Sequence, residues 1–197
     1  MNGQIDAVLL QSSSGQAQKV TTGPRGYAYM SVPHADKEGW ARLQEVAPFY
    51  TPHVCTEGAG LTGPIEVLGF PYPALAGYDR IDGGIAYDMT KAVFELYPIY
   101  KDSAPGAKGW ALERQLMTPV IPFHEGAVRY YKEVGRWTPE AQANQEKLLE
   151  RERLVHAAWS AYLPGAPADK DGFTKGWMKA RAEALDKAGL NPVWRTW

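Results

Sequence analysis

One cysteine stands in 197 residues. No disulfide can form within the chain, and cysteine usage says nothing about its compartment. Long hydrophobic runs are as scarce: no stretch approaches the ~20 apolar residues of a membrane span. The longest apolar run near the start, AVLL, is too short for a signal-peptide core and has no basic flank. The chain is therefore cytoplasmic, or its export signal has been removed. An excess of either charge is missing too, since 21 basic and 22 acidic residues leave a formal net charge of -1. That balance argues against nucleic acid, whose phosphates call for a basic surface, and gives no reason to expect attraction to anionic lipid.

Motifs of metal and covalent chemistry are also lacking. The chain has no H-E-x-x-H, no paired-cysteine spacing, no G-x-S-x-G, no kinase signature and no P-loop ending in Lys-Ser/Thr. Its four histidines, His34, His53, His124 and His156, are scattered. The carboxylate pairs Asp79/Asp82 and Glu150/Glu152 fall in a turn and on a polar helix face, where solvation is ordinary. No metal, no cofactor and no catalytic set is expected. Cys55 has His53 two residues before it, on the same face of a strand. A nucleophile is one reading of that pair; a buried, inert thiol is the other.

Aromatic residues are plentiful, with 7 Trp and 11 Tyr, suited to clefts and interfaces or simply to filling a core. The run IDAVLL fits a strand buried on both faces, as in parallel α/β sheets. An independent domain seldom opens so close to a central strand, so the chain is expected to begin within a larger fold. QSSSGQAQKVTTG follows as a small-residue loop and a short helix. At the carboxyl end of a parallel strand, Gln11, Ser12, Ser13 and Ser14 occupy the usual ligand position. Their hydroxyls and the helix N–H groups suit an anion such as a carboxylate. Alternatively Ser14 is only the helix N-cap and the loop is solvated.

Beyond this loop the pattern predicts a strand over 27–32 and a helix carrying Trp40, Leu43 and Val46, ended near Pro48. Strand cores follow at 54–56 and 65–70, around the glycine-rich loop EGAGLTGP. From Gly84 the period becomes helical, with Ile85, Met89, Ala92, Val93 and Leu96 on one face. GWALERQLM reads as a short helix. TPVIPFHEGAVRYYKEVG runs extended into another, with Ala127, Tyr130, Tyr131 and Val134 on its apolar face. Thr138 and Pro139 then mark the start of a long amphipathic helix with Leu148, Val155, Trp159 and Tyr162 in a stripe. His156 falls beside that stripe as a boundary histidine. APADKDG reads as a linker, and a last helix, beginning FTKGWMKA, ends at Gly189. Trp194 and Trp197 are expected to pack on the body or on a partner.

Four segments taken in order, NGQIDAVLLQ, APFYTPHVCTEGAGLTG, AYDMTKAVFE and IPFHEGAVRYYKEVG, resemble the TAXI-type solute-binding receptors of TRAP transporters. The resemblance covers residues 1–135 and leaves 136–197 as a helical extension. It implies an α/β chain with part of a periplasmic-binding-protein type II fold: second-lobe sheet, hinge strands and C-terminal helices, with an added helical tail. It further implies a periplasmic, non-enzymatic, cofactor-free protein that captures a small organic anion, an amino acid or a carboxylate, for the TRAP membrane permease subunits. Leu61 stands where the family's interlobe segment carries a ligand-side tyrosine, and so joins Gln11, Ser12, Ser13 and Ser14 as a ligand-binding candidate. Two other readings remain: a stand-alone module without ligand binding that self-associates through exposed apolar surface, its Trp-rich tail and its C-terminal amphipathic helices, and an enzyme using Cys55 with His53 or His124.

Overall fold

Small polar residues and prolines punctuate the chain into short elements. The computed structural model describes residues 6–70, 74–104 and 106–196. Helix α1 (Gly15–Thr21) opens on Ser14, whose Oγ accepts from the Ala17 N–H at 3.1 Å. Helix α2 (Lys37–Val46) buries Trp40 and stops two residues before Pro48. Strands β1 (Thr51–Cys55) and β2 (Ile65–Gly69) pair antiparallel, with Pro52 opposite Leu68 and Cys55 opposite Ile65. Helix α3 (Gly83–Glu95) is interrupted at Leu96, and the one-turn α4 (Tyr97–Tyr100) resumes with Pro98 in its first turn. Helix α5 (Glu125–Glu133) and the long α6 (Pro139–Tyr162) follow, then α7 (Lys170–Lys187). Thr138 caps α6, accepting from the Ala141 N–H at 3.1 Å, with Pro139 in the first turn as expected. The protein is thus mixed α/β, with helices dominant and a two-stranded sheet.

Several expectations need correction. Residues 6–10 form no strand, and Val8 and Leu9 are exposed; the beginning of that run lies outside the described residues. Apolar residues become a strand only where a neighbour takes their backbone bonds, and residues 6–10 have no ladder partner among the described residues. Segment 27–32 is likewise no strand: a single backbone rung, Val32 N–H to Glu66 O at 2.8 Å, joins it to β2. GWALERQLM gives two 3-10 turns, Ala107–Trp110 and Leu112–Arg114, because extended Ala111 (ψ 138) breaks the helix between them. The stretch read as a linker holds the start of α7: Asp169 caps it, accepting from the Gly172 N–H at 2.7 Å. His156 is exposed rather than at a boundary. Trp194 is half-exposed, and Trp197 lies outside the described residues.

The chain divides into two compact units interleaved along the sequence. One comprises Met1–Lys37, Tyr50–Phe70 and Val93–Gln115 and carries the two-stranded sheet with residues 6–32 and 97–115. The other comprises Glu38–Phe49, Pro71–Ala92 and Leu116–Trp197. In this second unit α5 meets the first turn of α3 through a glycine. A Cβ on Gly126 would press on the Gly83 carbonyl oxygen and lie 2.6 Å from the Tyr87 nitrogen. His124 caps α5 by accepting from the Gly126 N–H on Nδ1 (3.2 Å), while its Nε2 donates to the Ile81 carbonyl at 3.0 Å. The Tyr87 ring stands edge-on to Tyr130 at 5.9 Å, under the Arg129 guanidinium at 4.3 Å. Burial, reinforced by Tyr130, pushes the Tyr131 hydroxyl up to about 12, so it stays neutral. Tyr130 and Tyr131 are the buried pair of α5, whereas Val134 is exposed.

Helices α6 and α7 pack as a hairpin about an aromatic cluster. The Trp159 ring lies 4.7 Å from Trp177 and 5.8 Å from Phe173. Tyr162 donates its hydroxyl to the Phe173 carbonyl at 2.7 Å. Edge-on pairs of this kind add about 0.5–1.5 kcal/mol each beyond area burial. Below them Met178 and Leu185 are fully buried. At its other end α6 grips the extended approach to α5. The Gln145 carboxamide accepts from the Phe123 N–H at 2.8 Å and donates to the Phe123 carbonyl at 2.7 Å. Asn144 donates to the Pro119 carbonyl at 3.0 Å.

Candidate functional site

The loop that leads into α1 is held by its own serines. Ser14 is spent on the cap of α1. Ser12 donates its hydroxyl to the Glu57 carbonyl at 2.9 Å, and its own carbonyl accepts from the Ala59 N–H at 3.0 Å. These two bonds tie residues 11–14 to the glycine loop between β1 and β2. Tyr27 and Tyr29 secure that loop from another side, both donating to the Ala59 carbonyl, Tyr29 at 3.1 Å. Their rings stand edge-on, 5.3 Å apart. Burial is the main cause that holds the Tyr29 hydroxyl above its ordinary value, ahead of the neighbouring Tyr27 and Cys55, which keeps it a donor. The loop must come this close: a Cβ on Gly58 would lie 2.6 Å from the Tyr29 hydroxyl and 2.8 Å from Ser12 Cβ. Gly60 takes φ +64, and the Leu61 N–H closes the turn onto the Gly58 carbonyl at 3.2 Å.

A third segment completes the cluster. After α4, Ser103 donates to the Tyr100 carbonyl at 2.7 Å, and Gly106 turns the chain at φ +83. A Cβ on Gly106 would meet Ser13 Oγ at 3.7 Å and Gln11 Nε2 at 3.9 Å. Gln11 and Ser13 therefore stand over Gly106. Beside them Glu57, Lys101, Asp102, Ser103, Gly106 and Lys108 line an open hollow of about 300 Å³. The Lys108 ammonium sits 3.9 Å from both the Glu57 and the Asp102 carboxylates. The first unit thus gathers Gln11, Ser12, Ser13, Ser14 and Leu61 around one loop-built site, but in different capacities. Ser12 and Ser14 hold the loop and the helix. Leu61 shapes the glycine turn through its backbone. Gln11 and Ser13 make no side-chain hydrogen bond among the described residues.

Sequence reasoning did not single out Tyr27, Tyr29, Glu57 or Lys108. The two tyrosines carried a usable signal, since positions two apart in an extended segment share a face. Lys108 carried none, because its place depends on a left-handed glycine two residues earlier.

Cys55 is buried, and its thiol donates to the Glu57 carbonyl at 3.3 Å, which is the inert alternative. His53 makes no hydrogen bond to it among the described residues. Burial lowers the His53 pKa, with Arg114 and His34 adding to the effect, although the residue as a whole is exposed. Among the described residues no group of His, Cys, Asp and Glu could hold a metal ion, and no helix is long and apolar enough to cross a membrane.

A larger hollow of about 570 Å³ runs along α5 and α6 in the second unit, bounded by Phe123, Glu125, Arg129, Lys132, Gln142 and Leu149. Its most buried polar group, Gln145, is already paired with the Phe123 backbone at both ends of its amide. The smaller hollow, with unspent donors, is the better candidate for a polar ligand.

The model of the NMT1-like family matches residues 1–135. No curated protein and no solved structure matches the chain.

Proposed function

Because the chain belongs to the NMT1-like family, a periplasmic solute-binding family, we propose that it is the solute-binding subunit of a TRAP-type secondary transporter of the TAXI kind. In this reading it works outside the cytoplasm, captures a small organic anion, an amino acid or a carboxylate, and delivers it to the membrane permease subunits. The match over residues 1–135 carries the proposal. Residues 1–135 then form the receptor portion, of periplasmic-binding-protein type II kinship, and 136–197 a helical extension. The family is non-enzymatic in general, and the buried thiol of Cys55 is in keeping with that. Gln11 and Ser13, whose side chains make no hydrogen bond among the described residues, stand over Gly106, which lines the same hollow as Lys101 and Lys108, and together they supply what a carboxylate needs.

A binding protein is stabilised by its solute. At a hundred times the dissociation constant a ligand adds about 2.7 kcal/mol, about 5–10 °C for a chain of this length. Tryptophan-fluorescence melting of the full chain with millimolar acetate, lactate, succinate, L-alanine and L-glutamine should therefore show an upward shift for at least one of them. No shift with any, together with no heat on titration, would refute the receptor reading.

The exposure of Ile85 and Met89, along the face of α3 marked by helical spacing, favours a second reading. It is self-association that covers this apolar stripe. Light scattering after size exclusion should then give a dimer mass at 100 μM, and Met89→Lys should return it to a monomer. A monomer throughout removes this reading.

A further inference from the structure

Helix α1 has only seven residues, and Ser14 already takes one of its free N–H groups. A carboxylate beside residues 11–14 therefore needs a cation from elsewhere in the same unit. Two line the hollow under Gly106, Lys101 and Lys108. We propose that Lys108 is the anchor for the carboxylate of the bound solute, assisted by Gln11 Nε2 and Ser13 Oγ, with Glu57 and Asp102 as the counter-ions that the carboxylate displaces.

Four observations carry this assignment. The Lys108 ammonium is 3.9 Å from each carboxylate, beyond the 2.7–3.2 Å of a formed N–H···O bond. Its three donors thus remain to be directed. Its side chain is half-exposed, and those of Glu57 and Asp102 more so, a setting in which an ion pair contributes little and is easily exchanged. Glu57 is held beside the predicted loop by Ser12, which bonds its carbonyl, while Gly106 brings Ser13 and Gln11 to the same hollow. Lys101, which has no ion pair among the described residues, adds positive potential at the rim. Two lysines against Glu57 and Asp102 leave the lining balanced, so the bound carboxylate tips a near-neutral site instead of neutralising a strongly basic one. The same arrangement gives Ser12 a positioning role, since its hydroxyl is already committed to Glu57.

This assignment rests on the solute-receptor reading, and opposite signs test it. The probe is whichever of acetate, lactate, succinate, L-alanine and L-glutamine binds the full chain tightest by isothermal titration. Lys108→Gln should weaken its binding about tenfold or more, the usual cost of losing a charge-assisted bond. Glu57→Gln and Asp102→Asn remove competitors and should tighten binding about two- to fivefold. Lys19→Gln, on the exposed side of α1, should change nothing. Wild-type affinity in Lys108→Gln overturns the anchor while the receptor reading stands. Weakening in Glu57→Gln and Asp102→Asn as large as in Lys108→Gln also overturns it, since a competitor's loss cannot do that. Failure of every probe to bind the wild-type chain defeats the receptor reading and the anchor with it.

Discussion

Replacing Gly126 by alanine is expected to destabilise the second unit by about 3 kcal/mol, the upper end of overpacking by one methyl, and to lower its melting temperature by about 6–12 °C. The added Cβ would press on the Gly83 carbonyl oxygen and stand 2.6 Å from the Tyr87 nitrogen and 2.9 Å from Ala86 Cβ. Two of these three are backbone atoms in the first turn of α3, so no rotamer change can relieve them. Either α5 lifts away, and the Tyr87–Tyr130 contact loosens, or the start of α3 unwinds. Helix propensity acts the other way, since alanine within a helix is favoured over glycine by about 1 kcal/mol; the steric term outweighs it. Gly15→Ala is the matched control, because a Cβ there meets nothing within 4 Å, and this change should be neutral or slightly stabilising. Thermal melts of the two variants, followed by circular dichroism at 222 nm, check both signs. A stable Gly126→Ala chain would mean that α5 does not sit this close to α3.

Gln145→Leu is expected to cost about 2–4 kcal/mol, because it strands two backbone groups at once. Its carboxamide both accepts from and donates to Phe123, as a neighbouring peptide would. Leucine fills the volume but leaves the part-buried Phe123 N–H and carbonyl without partners, at a residue whose ring packs edge-on against Tyr131 and Trp137. Gln145→Glu should recover the acceptor half alone and lie between the two. Asn144→Ala, which frees only the Pro119 carbonyl, should cost about 1 kcal/mol. Hydrogen exchange separates local from general loss: the Phe123 amide should lose protection in Gln145→Leu before the α6–α7 hairpin does. Equal protection at Phe123 in wild type and variant would contradict the pairing.

Much of the helical structure was legible in the sequence, for reasons visible at particular residues. Thr138-Pro139 and the stop near Pro48 are local signals, complete within one turn, and both mark helix ends in the structure. Strands depend on distant partners: residues 6–10 make no ladder among the described residues, and segment 27–32 makes only a single rung with β2. Asp169 was overlooked because APADKDG looks like a spacer unless its aspartate is recognised as a cap. At the candidate site, the serine-rich loop stands out by composition. Which serines are structural does not, since Ser12 is committed by Glu57, a residue 45 positions away. Lys108 was invisible for the same reason. The signature IPFHEGAVRYY proved to be a packing device: His124 caps, Gly126 allows close approach, and Tyr130 and Tyr131 fill the interior.

The placing of Pro52 in β1 bears on how this protein behaves when crowded. The Glu66 carbonyl points away from β1, towards Val32, so its partner Val54 must turn its own backbone groups outward. Pro52 lies two residues from Val54 and shares that orientation. The side of the hairpin open to a newcomer therefore lacks an N–H at one of its two outward positions on β1. A lone pair of strands is an invitation to further strands, and natural proteins commonly withdraw it with a proline at the border. Here the imino acid costs the ladder nothing, because the missing donor is the one that would have recruited a stranger. Pro52 thus removes one of the backbone donors that a further strand laid along β1 would need.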